Sequence, residues 1–415
     1  MLDALSALVA LAAVFVWLND RFFGVSSTIA MMAAGILTAF AITVLEAAGL
    51  SGLTEQVSSG LLAIDFGPTL MNVVIGVLLY VAALKINLRL LEQQHVLILT
   101  LAVASTLINT FLTGTATWAL LLALGLDVPF LHCLLFGALI SPTDPIATVA
   151  ILKSVGLPAK LEVLIEGESL LNDGVGAVVF AVLLGVVATG EEPTLAHISI
   201  ELARDVGGGL VLGVALGAIG GAMSRTDVGL TARVLVSLAV ILFGGYIARH
   251  LHFSYPLAMV AAGVVQAWFM TSDGAESAGQ HLTFWKTVED VLIAGLFLML
   301  GLLAIAPADV PVPWTAMLLV IPVVLVCRFV SVWLGLLLDG RGSRSVQLPG
   351  LLTWGGLRGG ISVALALSVP EIASRDLILE MSYAVVLFSV LIQAPTIGRL
   401  FKPATLNRML DGLDT

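Results

Sequence analysis

The sequence predicts an all-α polytopic membrane protein of about thirteen transmembrane helices, arranged as inverted repeats with two discontinuous helices. Three observations lead there. The first is composition: 59% of the 415 residues are hydrophobic, 11% are charged, and the mean hydropathy is +1.09. A soluble domain carries about 25% charged residues, and one buried core cannot absorb this much apolar surface. The second is a succession of apolar windows of spanning length. The third is a pair of interruptions, one in each half of the chain.

A spanning helix needs roughly 20 mostly apolar residues, within about 17 to 25. Windows of this kind occur at 2–18, 26–46, 68–84, 96–124, 130–152, 162–188, 203–223, 232–249, 255–271, 286–306, 313–338, 350–369 and 376–400. The run from Leu2 to Trp17 contains Asp3 and no Lys or Arg. That is a poor start for a signal peptide and reads as the first membrane helix. Residues 1–402 form one membrane domain: a first repeat at 1–188, a linker helix at 203–223 and a second repeat at 230–402, followed by a short tail at 403–415.

An odd count puts the termini on opposite sides. With the C-terminus cytoplasmic, thirteen of the 18 Lys and Arg fall on the cytoplasmic side, Arg341, Arg344 and Arg408 among them. Arg204, Arg249 and Arg375 fall outside, and Arg328 and Arg358 lie within windows. Such a bias predicts a cytoplasmic C-terminus and an outer N-terminus. The net charge of −10 does not bear on orientation. Nucleic-acid binding has no basic patch to support it. Cys133 and Cys327 stand in apolar stretches, and His132 and His281 have no ligand cluster around them, so no disulfide, cofactor or metal cluster is expected.

The fifth window is interrupted by Ser141-Pro142-Thr143-Asp144-Pro145. Each proline lacks an N–H and clashes with the carbonyl one turn back. The twelfth carries Gly355-Gly356-Leu357-Arg358-Gly359-Gly360, where a regular helix is costly. With six windows in each repeat and the seventh as linker, the two interruptions hold the same position. An offset of seven spans gives the repeats opposite topology. Paired broken helices mark a binding site near the membrane midplane.

Ionisable residues inside spans are expensive, so each is a functional candidate. Away from the window ends they are Asp144, Glu168, Asp173, Arg328 and Arg358. In Gly167-Glu168-Ser169-Leu170-Leu171-Asn172-Asp173-Gly174, helical spacing puts Ser169, Asn172 and Asp173 on one polar face with Glu168 at its edge. Asp173 then has hydroxyl and amide oxygens beside it, as a hard cation requires. Carbonyls freed by Pro142 and Pro145, with the oxygens of Thr143 and Asp144, add further donors. The blander alternatives are specific. Asp173 could pair with an arginine as packing. Asp144 could cap the half-helix after the break. Glu168 reads as a scaffold ion pair, with Arg328 as partner and Arg358 as competitor. An enzyme is not expected, because Ser169 has no histidine base nearby and no acids or histidines have metal-ligand spacing. A passive channel would need a continuous pore, which one sparse cluster does not provide.

The stretch from Phe136 to Leu184, with SPTDPIA and EGESLLNDG, and the stretch GGLRGGISVALALSVP from Gly355 to Pro370 closely resemble the sodium/proton exchanger branch of the monovalent cation:proton antiporters, in its bacterial NhaP-like form. With the thirteen windows, the resemblance extends over nearly the whole chain. It implies a homodimer in the inner (plasma) membrane. Each subunit would have an interface domain and a six-helix core with two crossed, unwound helices. The resemblance places the shared binding carboxylate on Asp173 and its partner amide on Asn172. Broken-helix ligands fall on Thr143 and Asp144, the Glu–Ser pair on Glu168 and Ser169, and the ion-pairing arginine on Arg328. Arg358 is the discontinuous-helix arginine. Many bacterial relatives have an acid or amide where Val81 stands, so an access carboxylate is expected to be missing here.

The implied activity is electroneutral one-for-one exchange of a monovalent cation for a proton, with lipid around the protein. Sodium or lithium is the expected cation, with potassium the rival, held by oxygens of Asp173, Thr143 and Ser169. Protonated and cation-loaded Asp173 would exclude each other, which makes exchange obligatory.

Overall fold

The structure is a computed structural model that describes residues 2–24, 27–48, 68–189, 195–225, 228–270, 275–302, 313–339 and 346–411. Among these residues there are helices and no strand. Hydrocarbon offers the backbone no water, so an apolar chain of this kind must close its hydrogen bonds within helices. In chain order they are α1 (Leu2–Leu18), α2 (Ser27–Ala47), α3 (Pro68–Lys85), α4 (Leu88–Leu99), α5 (Thr106–Ala123), α6 (Phe130–Ile140), α7 (Pro145–Ser154), α8 (Ala159–Thr189) and α9 (Leu195–Ser224). Then follow α10 (Leu230–Leu251), α11 (Tyr255–Met270), α12 (Ala275–Leu302), α13 (Trp314–Leu338), α14 (Gln347–Trp354), α15 (Gly360–Leu367), α16 (Arg375–Phe388), α17 (Ala394–Leu400) and α18 (Pro403–Asp411).

Every apolar window of the sequence holds helix. Among the described residues, eight helical stretches are long and apolar enough to cross a membrane by length and composition. One of them joins α4 to α5 through a π-helical turn at Thr100–Ser105 and runs over Leu88–Ala123. Residue 26 of the second window, residue 271 of the ninth, residues 303–306 of the tenth, Arg341, Arg344 and residues 412–415 of the tail lie outside the described residues.

Three helices begin well before their windows, among them α9, which starts at Leu195 rather than 203; the reason is plain for α4 and α12. α4 starts at Leu88 rather than near 96, because Asn87 caps it by accepting from the Leu90 amide at 3.3 Å. Its buried Gln94 donates to the Lys160 carbonyl at 3.0 Å. α12 starts at Ala275 and buries His281 and Trp285. Both segments carry a polar face, which lowers their average hydropathy without weakening the helix. The described part of the short tail is a helix. α18 is amphipathic and turns Leu406 and Met409 into the cluster formed with Leu348 and Leu351 of α14.

The helices pack as two bundles. α1–α3 associate with α9–α12, and α4–α8 with α13–α17. Tyr80, Met259 and Trp285 centre one apolar cluster of the first bundle, and Met31 and Phe297 another. The second bundle packs around Phe136 and Val320 and around Leu97 and Leu351. Small residues let backbones approach where lipid gives no hydrophobic drive. A Cβ built on Gly35 of α2 would stand 2.7 Å from Cα of Gly301 in α12, so this contact admits no side chain.

The two interruptions meet inside the second bundle. The chain leaves α6 at Ser141 and re-enters helix at Pro145, and it is again non-helical from Gly355 to Gly359 between α14 and α15. The Asp144 amide donates to the Leu357 carbonyl at 2.7 Å, in an isolated antiparallel bridge. The Thr148 hydroxyl donates to the Gly355 carbonyl at 2.6 Å. The breaks therefore cross, and each satisfies polar groups that the other leaves open.

Candidate functional site

α8 is unbroken and carries its polar residues past the crossing. Glu168, one turn before Asn172, accepts from the Asn172 side-chain amide at 2.8 Å. The same Glu168 oxygen accepts from Arg328 Nη2 of α13 at 2.8 Å. Both side chains of this pair are buried. Of the two arginines considered from the sequence, Arg328 is the one that meets Glu168.

Arg358 has a different partner. Its Nη1 donates to the carbonyls of Ser141 at 2.6 Å and Pro142 at 2.8 Å. The carbonyls freed by the prolines were expected to face a cation. Two of them are instead held by a buried guanidinium, which supplies the donors that the missing helical turn cannot. The Thr143 carbonyl accepts from the Ser169 hydroxyl.

The expected polar face of α8 divides in two. Ser169 and Asn172 turn toward the break: the Thr143 hydroxyl lies 2.7 Å from Ser169 Oγ, and it accepts from Asn172 Nδ2 at 2.8 Å. The Thr143 amide donates to Asn172 Oδ1 at 3.3 Å. Asp173 turns the other way and lines a cavity of about 570 Å³ between the two bundles. It is 6% exposed, and its Oδ1 has no hydrogen-bond partner among the described residues. Thr143 and Asp144 line the same cavity; Ser169 and Asn172 do not. Asp144 is half-buried, and its carboxylate lies where a Cβ on Gly359 would be, 2.6 Å from Oδ2. Gly359 is thus required by the approach of Asp144.

From Asp173 the cavity runs past apolar walls, Leu78, Leu79 and Ala82 of α3 and Phe297 of α12, to a charged mouth. At the mouth Lys85 pairs with Glu289 at 2.5 Å and Lys153 with Glu162 at 2.7 Å. Val81 is fully buried in the cluster beside Tyr80 and does not line the cavity. Its neighbour Tyr80 donates to Gln266 Oε1 at 2.6 Å and lies 3.0 Å from Ser237 Oγ.

One cavity residue escaped the reading of the sequence. Glu166 is half-buried and stands on the α8 stripe with Glu162, Leu170 and Asp173, at helical spacings of four, four and three. That periodicity was visible in the sequence. A glutamate near a helix start and close to lysines has the pattern of a solvated helix end.

An all-helical membrane fold whose two broken helices cross beside a buried carboxylate is the architecture of a secondary transporter. Residues 5–402 match the family described as sodium/hydrogen exchanger, transmembrane. Over 416 aligned residues the chain is 38% identical to the Na(+)/H(+) antiporter NhaP of Pseudomonas aeruginosa, covering 97% of this chain and 96% of that protein. It is 36% identical over 345 residues to the Na(+)/H(+) antiporter NhaH of Halobacillus dabanensis, covering 81% and 83%. The fold is similar to that of the sodium proton antiporter MjNhaP1 from Methanocaldococcus jannaschii, with a TM-score of 0.75, 18% identity and coverage of 96% and 98%. The chain belongs to the sodium/hydrogen exchanger family.

Proposed function

We propose that this protein is a secondary antiporter that exchanges sodium for protons across a membrane by competition at Asp173. One observation carries the reading: a carboxylate within a membrane helix, 6% exposed and with an unpartnered oxygen, closes the inner end of a large cavity. Intramembrane acids without an ion pair mark ion pathways. Thr143 and Asp144 stand at the same end of the cavity and offer hydroxyl and carboxylate oxygens to a hard cation. Ser169 and Asn172 act on Thr143, holding its hydroxyl in place, and the Glu168–Arg328 pair anchors Asn172.

Sodium or a proton occupies the site, not both, and only those two forms cross. The second bundle carries the crossed breaks past the first, with thirteen spans in inverted repeats. The relatives named for sodium favour it over potassium. The mouth carries Lys85, Lys153 and Lys286, which the distribution of basic residues places in the cytoplasm. On that orientation, in the plasma membrane, the structure faces inward. The chain assembles as a homodimer.

The test is flux in proteoliposomes: an imposed pH gradient drives sodium uptake, and a sodium gradient drives proton movement, each requiring the other ion. Sodium flux that continues without counter-movement of protons would mean a channel.

A further inference from the structure

We infer that Glu166 holds the cation on its passage between the cavity mouth and Asp173, an inference that rests on the exchange proposed above. The cavity is lined by acids in three degrees of exposure. Asp290 at the mouth is exposed, Glu166 is half-buried and Asp173 is 6% exposed. The other two acids of the mouth are already neutralised, Glu162 by Lys153 and Glu289 by Lys85. Glu166 has no hydrogen bond or ion pair among the described residues. The charges that act on it are Glu162 and Lys153 from its own bundle and Lys85 and Glu289 from the facing one. Lys286, Asp290, Asp144 and Asp173 complete the charged lining.

Glu166 and Asp173 share one face of α8, seven residues apart. Two turns of helix separate them by about 10 Å along the axis. Between them the lining of α8 is Leu170, and the opposing wall is Leu78, Leu79 and Ala82. A sodium ion leaving the mouth meets an apolar stretch that cannot replace its water. A carboxylate before that stretch raises its local concentration and compensates its charge while hydration is shed. Asp173, with its unpartnered Oδ1, is the destination at the inner end. The two paired lysines keep the neighbouring acids from competing for the ion. Glu166 is therefore a positioning residue for a monovalent cation, separate from the site that exchanges it.

The test uses the full chain in oriented proteoliposomes, with sodium offered to one face at a time. With Glu166→Gln, the apparent KM for sodium rises about fivefold on the face bearing Lys85 and Lys153, the effect of about one charge contact in watery surroundings. Vmax at saturating sodium falls by no more than about twofold, and KM on the opposite face does not change. Glu166→Asp restores most of the lost affinity. Added choline chloride narrows the gap between Gln variant and wild type, because a half-exposed charge is screened by salt. An unchanged KM on the mouth face overturns the inference. So does an equal loss on both faces, or a lower Vmax at constant KM, either of which marks a structural role. If the Gln variant does not fold, Glu166→Ser takes its place: a rise in KM confined to the mouth face supports the inference, and no rise sinks it. Wild-type protein that exchanges nothing overturns the exchange reading itself, which is a separate result.

Discussion

Glu168 and Arg328 lie 160 positions apart and meet through one carboxylate oxygen at 2.8 Å, with the Asn172 amide on the same atom. Breaking a buried pair leaves a charge without compensation, at a cost of roughly 3–5 kcal/mol. Glu168→Gln and Arg328→Gln should each lower the thermal midpoint of the purified protein sharply. The double variant should lose less than the sum of the two, as a double-mutant cycle detects. Fully additive losses would show that the two residues are energetically independent.

Asp173→Asn should abolish exchange while the protein inserts and keeps its stability. Asparagine retains the size but neither titrates nor carries charge. In wild-type protein, the competition has a definite sign. Protons occupy the site as pH falls, so the apparent KM for sodium should rise on acidification, by at most about tenfold per pH unit for one proton. At saturating sodium the maximal rate should change much less. A KM independent of pH across the active range would rule out a shared carboxylate.

Gly359→Ala tests the crossing of the breaks. The new methyl would stand 2.6 Å from Oδ2 and 2.8 Å from Cβ of Asp144. Overpacking of this kind costs about 1–3 kcal/mol, and the variant should be less stable and slower in exchange. Gly359→Ala/Asp144→Ser removes the Oδ2 contact and keeps the one to Cβ, so it should recover part of the lost stability, measured by thermal unfolding in detergent. If the double variant is no more stable than Gly359→Ala alone, the two residues do not press on each other.

Exchange should be electroneutral. Asp173 is the buried acid at the inner end, Asp144 beside it is half-buried against Gly359, Asn172 is neutral, and Glu168 is committed to Arg328. A membrane potential acts with about 2.3 kcal/mol per charge per 100 mV. Sodium–proton exchange should nonetheless proceed at one rate under potassium–valinomycin potentials of either sign. A rate that follows the sign of the potential would bring Asp144 into the cycle as a second proton carrier.

The features legible in the sequence were those that violate the rule of a membrane. Asp173, Glu168 and Arg328 stood out because charge inside an apolar helix is costly. The Pro142–Pro145 and Gly355–Gly360 interruptions stood out because helices reject them. Their crossing is a long-range contact; so is the pairing of Glu168, for which the sequence favoured Arg328, alone in its span, over Arg358, and the structure has Arg328. The cavity was hidden for the same reason, since α3, α8 and α12 meet there from distant parts of the chain. The division of Ser169 and Asn172 from Asp173 was hidden because periodicity gives faces of one helix, not what each face meets. The early starts of α4 and α12 escaped because their polar residues are absorbed by neighbours such as Lys160.

The bond from the Asp144 amide to the Leu357 carbonyl is made by backbone alone. Replacing either side chain leaves it in place; among the standard amino acids, proline at 144 removes its donor. The link between the two breaks can thus outlast drift in the side chains around it. If Thr143 and Asp144 bind the ion as proposed, a descendant protein can alter which ion it selects through them without rebuilding the joint on which those side chains are mounted.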